Sequence, residues 1–107
     1  MTSDSRVFEH GIVQLRVDHG VFELFERSRV LRIYRTPLSW VRVRAQARKR
    51  GIILLHFSYA EDPDEPIYAR LMSGSVSRST IEIQMADEPL YYAFFAELAE
   101  LSGRPIG

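Results

Sequence analysis

The sequence predicts a mainly β domain in which seven short antiparallel strands are followed by one C-terminal helix. Three observations predict this class. Apolar segments with alternating polar residues recur between Ile12 and Met85, turn-forming residues separate them, and an apolar stripe with helical spacing comes last. Seven strands form a sheet that must curl to bury one face, and a single amphipathic helix would close its open end.

Composition limits the domain count and the classes of site. A chain of 107 residues, 46% of them apolar, is one domain over residues 1–107 with enough apolar side chains for a core. It contains no cysteine, which excludes disulfides and thiolate metal sites. The polar start of the chain and the lack of an apolar run of about 18 residues predict a cytoplasmic protein that does not span a membrane.

Turn signals separate the first four strands. We place these strands at 12–17, 21–27, 30–35 and 39–45. Gly20 ends the first turn because glycine adopts positive φ without strain. Pro37 breaks the chain after the third strand because it cannot donate to a sheet ladder. Alternation is cleanest in the fourth strand, where Val41, Val43 and Ala45 share one face.

The last three strands surround an acidic loop. We place them at 52–59, 67–72 and 80–85. The first of these is apolar on both faces, which indicates a central strand. Residues 61–66 hold two prolines and four carboxylates and form an exposed loop. The sequence leaves open whether residues 6–9 form an extra strand. Such a strand would change which loops lie at the same end of the barrel.

The C-terminal helix has a clear start and end. Asp87 caps it, Pro89 is tolerated in the first turn, and Gly103 ends it in the left-handed conformation. One stripe carries Leu90, Tyr91, Phe94, Leu98 and Leu101, with Phe95 at its border. Burial of such a stripe at about 2 kcal/mol for each large side chain would contribute on the order of 10 kcal/mol. The helix is therefore predicted to be part of the core.

This order of elements over residues 10–103 resembles the pleckstrin-homology-like (PH-like) superfamily, a seven-stranded antiparallel barrel or sandwich capped by a C-terminal helix. Eukaryotic members usually carry a Trp in the helix. Here the helix has Tyr91, Tyr92, Phe94 and Phe95, and the single Trp is Trp40. That departure resembles the uncharacterised bacterial branch. Members bind lipids or peptides or oligomerise, and few are enzymes, so the resemblance implies a non-enzymatic module.

The net charge of zero hides an uneven distribution of charge. Residues 1–60 hold eleven basic and five acidic side chains, whereas residues 61–107 hold three basic and nine acidic ones. Arginines beside an aromatic residue are suited to nucleic acid or an acidic lipid surface, although a solvated hairpin tip explains the same pattern. The candidate anion-binding face consists of Trp40, Arg42, Arg44, Arg48, Lys49 and Arg50.

Phosphoinositide binding is not expected. In the family that the chain resembles, lysines and arginines around the first hairpin hold the phosphates. Here the first predicted hairpin turn is 18–20, which is flanked by Arg16 alone. The acidic loop 61–65 is predicted at the same end and would repel a phosphate.

Binding to another protein or to a second copy is the leading prediction. A sheet edge and the groove beside the terminal helix can accept an added peptide strand. The candidate groove residues are Tyr59, Tyr92 and Phe95. Nucleic acid or an acidic membrane surface is the alternative partner.

No catalytic, metal or cofactor site is predicted. His10 and His19 repeat an acid-His-Gly pattern, but an intervening strand places them about 20 Å apart, too far for a shared metal. His56 shares a strand face with apolar residues and is expected to be partly buried. A carboxylate beside His56 would favour an enzyme instead.

Overall fold

The computed structural model describes residues 5–27, 32–71 and 77–106, and within these ranges it contains eight strands and one α-helix. The strands are β1 (Arg6–His10), β2 (Val13–Asp18), β3 (Val21–Glu26), β4 (Arg32–Pro37), β5 (Val41–Ala47), β6 (Ile52–Tyr59), β7 (Tyr68–Arg70) and β8 (Ser79–Gln84), and the helix is α1 (Glu88–Ser102). Residues 30, 31 and 72, which the sequence assigns to strands, lie outside the described residues.

The first sheet is an antiparallel meander in the order β1-β2-β3-β4. Its register places Leu15 opposite Phe8 on one side and Leu24 on the other. Because side chains alternate across a strand, Val13, Leu15 and Val17 all point into the core while the residues between them face outward. The alternation predicted for this segment is therefore correct.

The second sheet has the order β7-β5-β6-β8. β5 and β6 form a hairpin, and β8 pairs antiparallel with the far side of β6. β7 corresponds to the strand predicted at 67–72, but it is not antiparallel as predicted: it pairs parallel with β5, with Tyr68 opposite Val43. Parallel neighbours need a crossover, and residues 60–67 provide it by carrying the chain from the end of β6 past the start of β5.

Two features of the predicted fold need correction. The described chain has eight strands, because Arg6–His10 forms an extra edge strand in the region left open as 6–9. The strands form two four-stranded sheets and not a closed barrel, so each sheet keeps two edge strands. The predicted break at Pro37 is present, because Pro37 is the last residue of β4, opposite Val21, and the turn 38–40 separates it from β5. A proline is tolerated there because β4 is an edge strand.

Both sheets and α1 contribute to one hydrophobic core. Phe22, Phe57 and Phe95 are fully buried and follow one another across it, with ring centroids 6.1 Å apart for the first pair and 6.3 Å for the second. The helix itself is confirmed, with Pro89 in its first turn and Gly103 at φ 70° after its end. The predicted cap is wrong, because the Asp87 side chain makes no capping hydrogen bond and contacts His10 instead. No helix in the described part of the chain is long and apolar enough to cross a membrane.

The buried stripe of α1 is rotated from the predicted one. Phe95, predicted at the border, is fully buried, whereas Leu90 is 50% exposed. The side chains that face the core are Tyr91, Phe94, Phe95, Leu98 and Ala99. The reason is that α1 is packed on one side by Phe8 of β1 and on the other by Tyr68 of β7, which centres its buried face between those strands.

The loops lie at two opposite ends of the sheets. Gly20 O accepts a hydrogen bond from Leu38 N at 2.7 Å, and Trp40 O accepts one from Ala60 N at 2.8 Å. These contacts bring the turns at 19–20 and 38–40 and the crossing 60–67 to one end, which we call the acidic end. The turns at 11–12 and 48–51 lie at the other, basic end. The acidic loop and the basic turn are therefore at opposite ends of β6, as the sequence predicts.

Candidate functional site

The six residues of the predicted anion-binding face do not form one surface. Trp40, Arg42 and Arg44 lie near the acidic end, whereas Arg48–Arg50 form the turn at the basic end. Arg42 and Arg44 are also engaged by one carboxylate, because Glu65 Oε1 lies 3.4 Å from Arg42 Nε and 3.6 Å from Arg44 Nη2. The predicted face is thus divided into three parts. Trp40 lies at the acidic end, Arg42 and Arg44 are each ion-paired with Glu65, and the basic turn is separate from both.

Arg44 has a structural role. Its side chain is 8% exposed, and its Nη1 donates to the carbonyl oxygens of Val43 at 2.9 Å, Pro66 at 3.1 Å and Ile67 at 3.3 Å. Burial, with Arg42 nearby, lowers the pKa of Arg44. These bonds attach the end of the crossing to β5, so the guanidinium is not available to a ligand.

Glu65 organises the acidic loop from within. Its Oε2 accepts the backbone N–H groups of Glu61 at 2.6 Å and Asp62 at 3.2 Å. Its own backbone oxygen accepts Arg104 Nη2 at 3.1 Å, and Arg104 Nη1 donates to Leu38 O at 3.3 Å. The C-terminal segment, the crossing and the 38–40 turn are therefore held together at the acidic end.

Trp40 lies against acidic residues rather than beside free arginines. Its side chain is 56% exposed and forms one wall of a cleft of about 250 Å³. The remaining walls of this cleft, which we call the Trp40 cleft, are Ser39, Ala60, Glu61, Asp62 and Pro63. The backbone bond from Ala60 N to Trp40 O fixes the two sides of the cleft to each other. An anion would meet carboxylates here, whereas a cation would meet opposite charge.

The three predicted groove residues also separate. Phe95 is fully buried, with its ring stacked on Tyr68 at 5.5 Å. Tyr59 stacks on Tyr34 at 5.7 Å and carries Arg78 above its ring at 5.6 Å, away from the helix. Only Tyr92 lines a groove beside α1, where it is 41% exposed.

This groove lies between β7 and the start of α1. Its volume is about 440 Å³, and we call it the β7–α1 groove. Its lining residues are Tyr68, Ala69, Arg70, Glu88, Pro89 and Tyr92. Tyr92 meets the Tyr68 ring edge-on at 5.6 Å, so two aromatic side chains form its apolar wall.

A polar cluster forms the other part of the groove. The Tyr68 hydroxyl donates to the Glu88 carboxylate, and Arg70 Nη2 lies 3.0 Å from Glu88 Oε1. Burial, followed by the hydrogen bond to Glu88 and the charge of Glu88, raises the pKa of Tyr68. Tyr68 therefore stays a neutral donor, and Glu88 is balanced by Arg70. The groove carries little net charge.

The sequence offered no signal for this pairing of β7 with α1. Tyr68 lay in a predicted strand and Glu88 in a predicted helix, but their contact depends on the parallel placement of β7 beside β5. A three-residue strand is too short for periodicity to assign its neighbour.

The histidines do not assemble a metal centre. His10 Nε2 is 2.9 Å from Asp87 Oδ2, at the rim of a cavity of about 220 Å³. His56 Nε2 lies 2.9 Å from Gln46 Oε1, an amide oxygen and not a carboxylate. Among the described residues no group of three metal-ligating side chains occurs.

Comparisons of the chain with family models, with curated proteins and with solved structures found no match.

Proposed function

We propose that this chain is a non-enzymatic protein-interaction module that binds an extended segment of a partner protein beside β7. The observation that carries this proposal is the position of β7. It is the edge strand of the second sheet, and the β7–α1 groove runs alongside it. An unpaired strand edge next to a side-chain groove is the arrangement used for strand addition.

The backbone of β7 has groups to offer on its outer side. Ile67 O accepts Val43 N at 2.7 Å, and Leu71 N donates to Ala45 O at 2.9 Å. Since consecutive residues of a strand point their N–H and C=O groups to opposite sides, Tyr68 and Arg70 point theirs away from β5. No described strand lies on that side. A partner segment would pair there.

The side chains of the groove would supply selectivity. Tyr68, Tyr92 and Pro89 form an apolar surface, and the Arg70–Glu88 pair forms a polar one. In strand addition the main-chain hydrogen bonds supply affinity, while pockets select alternate side chains of the added segment. The groove volume of about 440 Å³ suits one or two such side chains.

We also propose that the two sheets and the helix have the PH-like fold that the sequence resembles. If β7 is set aside, seven strands remain, all paired antiparallel, and one C-terminal helix follows them. This is the same count and order of elements as in the resemblance, although the seven predicted strands included the one at 67–72 and did not include β1. Its members are mostly interaction modules, which supports the same function.

Binding to an anionic surface stays a second prediction with narrower support. Arg42 and Arg44 are paired with Glu65, which leaves Arg48, Lys49 and Arg50 as its basic residues. The prediction that phosphoinositides do not bind also loses part of its support. It assumed that the first hairpin turn is 18–20 and lies at the same end as the acidic loop. In the structure β1 and β2 form the first hairpin through residues 10–13, and the turn of this hairpin lies at the basic end. Loss of binding to acidic vesicles or nucleic acid with added salt would test this alternative.

The groove is tested first by site-specific crosslinking. A photoreactive phenylalanine replaces Tyr92 in living cells, and a matched variant carries it at Leu90, which is exposed on the other flank of α1. We expect crosslinks to one partner segment from position 92 and not from position 90. That segment is then synthesised as a peptide, and its affinity for the protein is measured by calorimetry.

Two substitutions of Arg70 then test the pairing itself. Arg70→Ala removes the ion pair with Glu88 but keeps the outward N–H, whereas Arg70→Pro removes both and leaves the ladder to β5 intact. We expect Arg70→Pro to bind the peptide about tenfold more weakly than Arg70→Ala, as the loss of one backbone hydrogen bond implies. Equal affinities, or crosslinks of equal yield from both positions, would contradict the proposal.

A further inference from the structure

We propose that the Trp40 cleft is a cation-binding site that takes the basic turn, Arg48–Arg50, of a second copy of this chain. This surface is separate from the β7–α1 groove. The inference goes beyond the proposed function, since it assigns a self-association contact with its own chemistry.

The chemistry of the cleft selects a cation. An arginine or lysine side chain over the exposed face of a Trp gains a favourable cation–π interaction. The Glu61 and Asp62 carboxylates on the same cleft add opposite charge and hydrogen-bond acceptors. The cleft volume of about 250 Å³ accommodates one long side chain.

None of the described residues supplies a cation to the cleft. The neighbouring arginines Arg42 and Arg44 are both directed to Glu65. In the described parts of the chain Glu61 and Asp62 form no ion pair, and Asp62 Oδ1 accepts only the backbone N–H of Asp64 at 2.9 Å. Glu65 nevertheless holds the backbone of the loop at this point, because it accepts the N–H groups of Glu61 and Asp62.

The basic turn is the complementary surface. Arg48, Lys49 and Arg50 are all exposed at the tip of the β5–β6 hairpin. Arg50 has φ 63° and Gly51 has φ 70°, so the chain reverses there through two residues in the left-handed conformation. None of the three forms an ion pair with another described residue.

The two surfaces cannot satisfy each other within one chain. The eight residues of β6 separate them, a span of roughly 27 Å at about 3.4 Å per residue. The screening length at physiological salt is about 8 Å. The contact is therefore between copies. It joins different surfaces, so it is head-to-tail and propagates unless a ring closes.

Trp40 is the only tryptophan of the chain, which makes its fluorescence a direct report on the cleft. The wild type is studied by sedimentation velocity and Trp emission over a concentration series, at low and at high ionic strength. We expect concentration-dependent oligomers at low salt, a parallel change in Trp40 emission, and loss of both at high salt.

Two half-site variants give the decisive result. A turn variant (Arg48→Gln, Lys49→Gln, Arg50→Asn) keeps its cleft, and a cleft variant (Glu61→Gln, Asp62→Asn) keeps its turn and Trp40. Each alone is expected to associate at least tenfold more weakly than the wild type. Mixed in equal amounts they form a capped 1:1 dimer, since one contact of the proposed type remains.

Tyr92→Ala is the matched control, since it removes an exposed aromatic from the other groove and should leave the self-association unchanged. A wild type that stays monomeric at low salt overturns the proposal, even if an added arginine-rich peptide alters Trp40 emission. A mixture of the half-site variants that stays monomeric also overturns it. Loss of association in Tyr92→Ala would overturn it in favour of the β7–α1 groove.

Discussion

The Glu65 carboxylate lies 3.6 Å from Nη2 of Arg44, at the point where the 60–67 crossing passes the start of β5. This pair decides the character of the acidic end. It balances the charge of a largely buried guanidinium and connects the acidic loop to β5. A tryptophan that the sequence associates with arginines is thereby placed in a cleft lined by carboxylates.

Glu65→Gln is expected to destabilise the fold by about 2–3 kcal/mol, because it leaves buried Arg44 without its carboxylate. An amide oxygen can still accept the two backbone N–H groups of the loop, so the change tests the charge itself. Urea unfolding measures the difference. Glu61→Gln, at an exposed position of the same loop, is the control and should change stability by less than about 0.5 kcal/mol. Equal effects of the two substitutions would contradict the role given to Glu65.

Arg44→Lys is expected to cost about 2 kcal/mol although the positive charge is kept. The guanidinium donates to three carbonyl oxygens and meets Glu65 from a fixed plane, which an ammonium cannot reproduce. Thermal or urea unfolding gives the difference. Arg48→Lys at the exposed basic turn is the matched control. A stability of Arg44→Lys equal to that of the wild type would show that charge alone is needed.

His56 predicts a loss of stability on acidification. Burial, with Arg48 adding to it, lowers the pKa of His56 below its ordinary value of 6.5. The unfolded chain therefore binds a proton at His56 more readily than the folded chain does. The stabilising contribution of His56 to the unfolding free energy is complete above about pH 6.5 and is lost as pH falls toward the lowered pKa. His56→Gln should flatten this part of the pH profile of the unfolding free energy. His19→Gln, at a side chain that is 92% exposed, is the control, and a profile identical for wild type and His56→Gln would refute the prediction.

Tyr91 predicts a loss of stability at high pH. Burial, followed by the charge of Asp87, raises the pKa of Tyr91 to about 12. Its contribution is complete below the ordinary value of 10.0 and is lost as pH rises through about 12, since the phenolate forms more easily in the unfolded chain. Tyr91→Phe should remove its share of this loss in unfolding experiments at alkaline pH. A Tyr91→Phe protein with an unaltered alkaline slope would rule out this assignment.

Much of the fold follows from local pattern. The predicted strand at 52–59 coincides with β6, and the predicted helix at 87–102 differs from α1 by one residue. Alternation of apolar side chains and the glycine after the helix act over a few residues, so they can be recognised without knowledge of the partner strands. The short β1 had only five residues and a weak pattern, and for that reason it stayed an alternative.

The candidate sites were predictable only in part. Tyr92 lines a groove beside α1, but Phe95 is buried and Tyr59 packs on Tyr34. A helical stripe gives the order of faces around α1, yet its rotation is set by what packs on either side. Small rotations of this kind exchange a border residue for a core residue, and the sequence of the helix does not encode them.

The sequence by itself determined the mainly β class with one C-terminal helix, the approximate places of seven of the eight described strands and the separation of charge between the ends of β6, because these depend on short-range periodicity and on chain direction. The tertiary structure alone decided which groups meet. The crossing at 60–67 places β7 parallel to β5, brings Glu65 onto Arg42 and Arg44, and so creates both the β7–α1 groove and the Trp40 cleft. Such contacts depend on which surfaces bury each other over long sequence separations, and no local pattern specifies that choice.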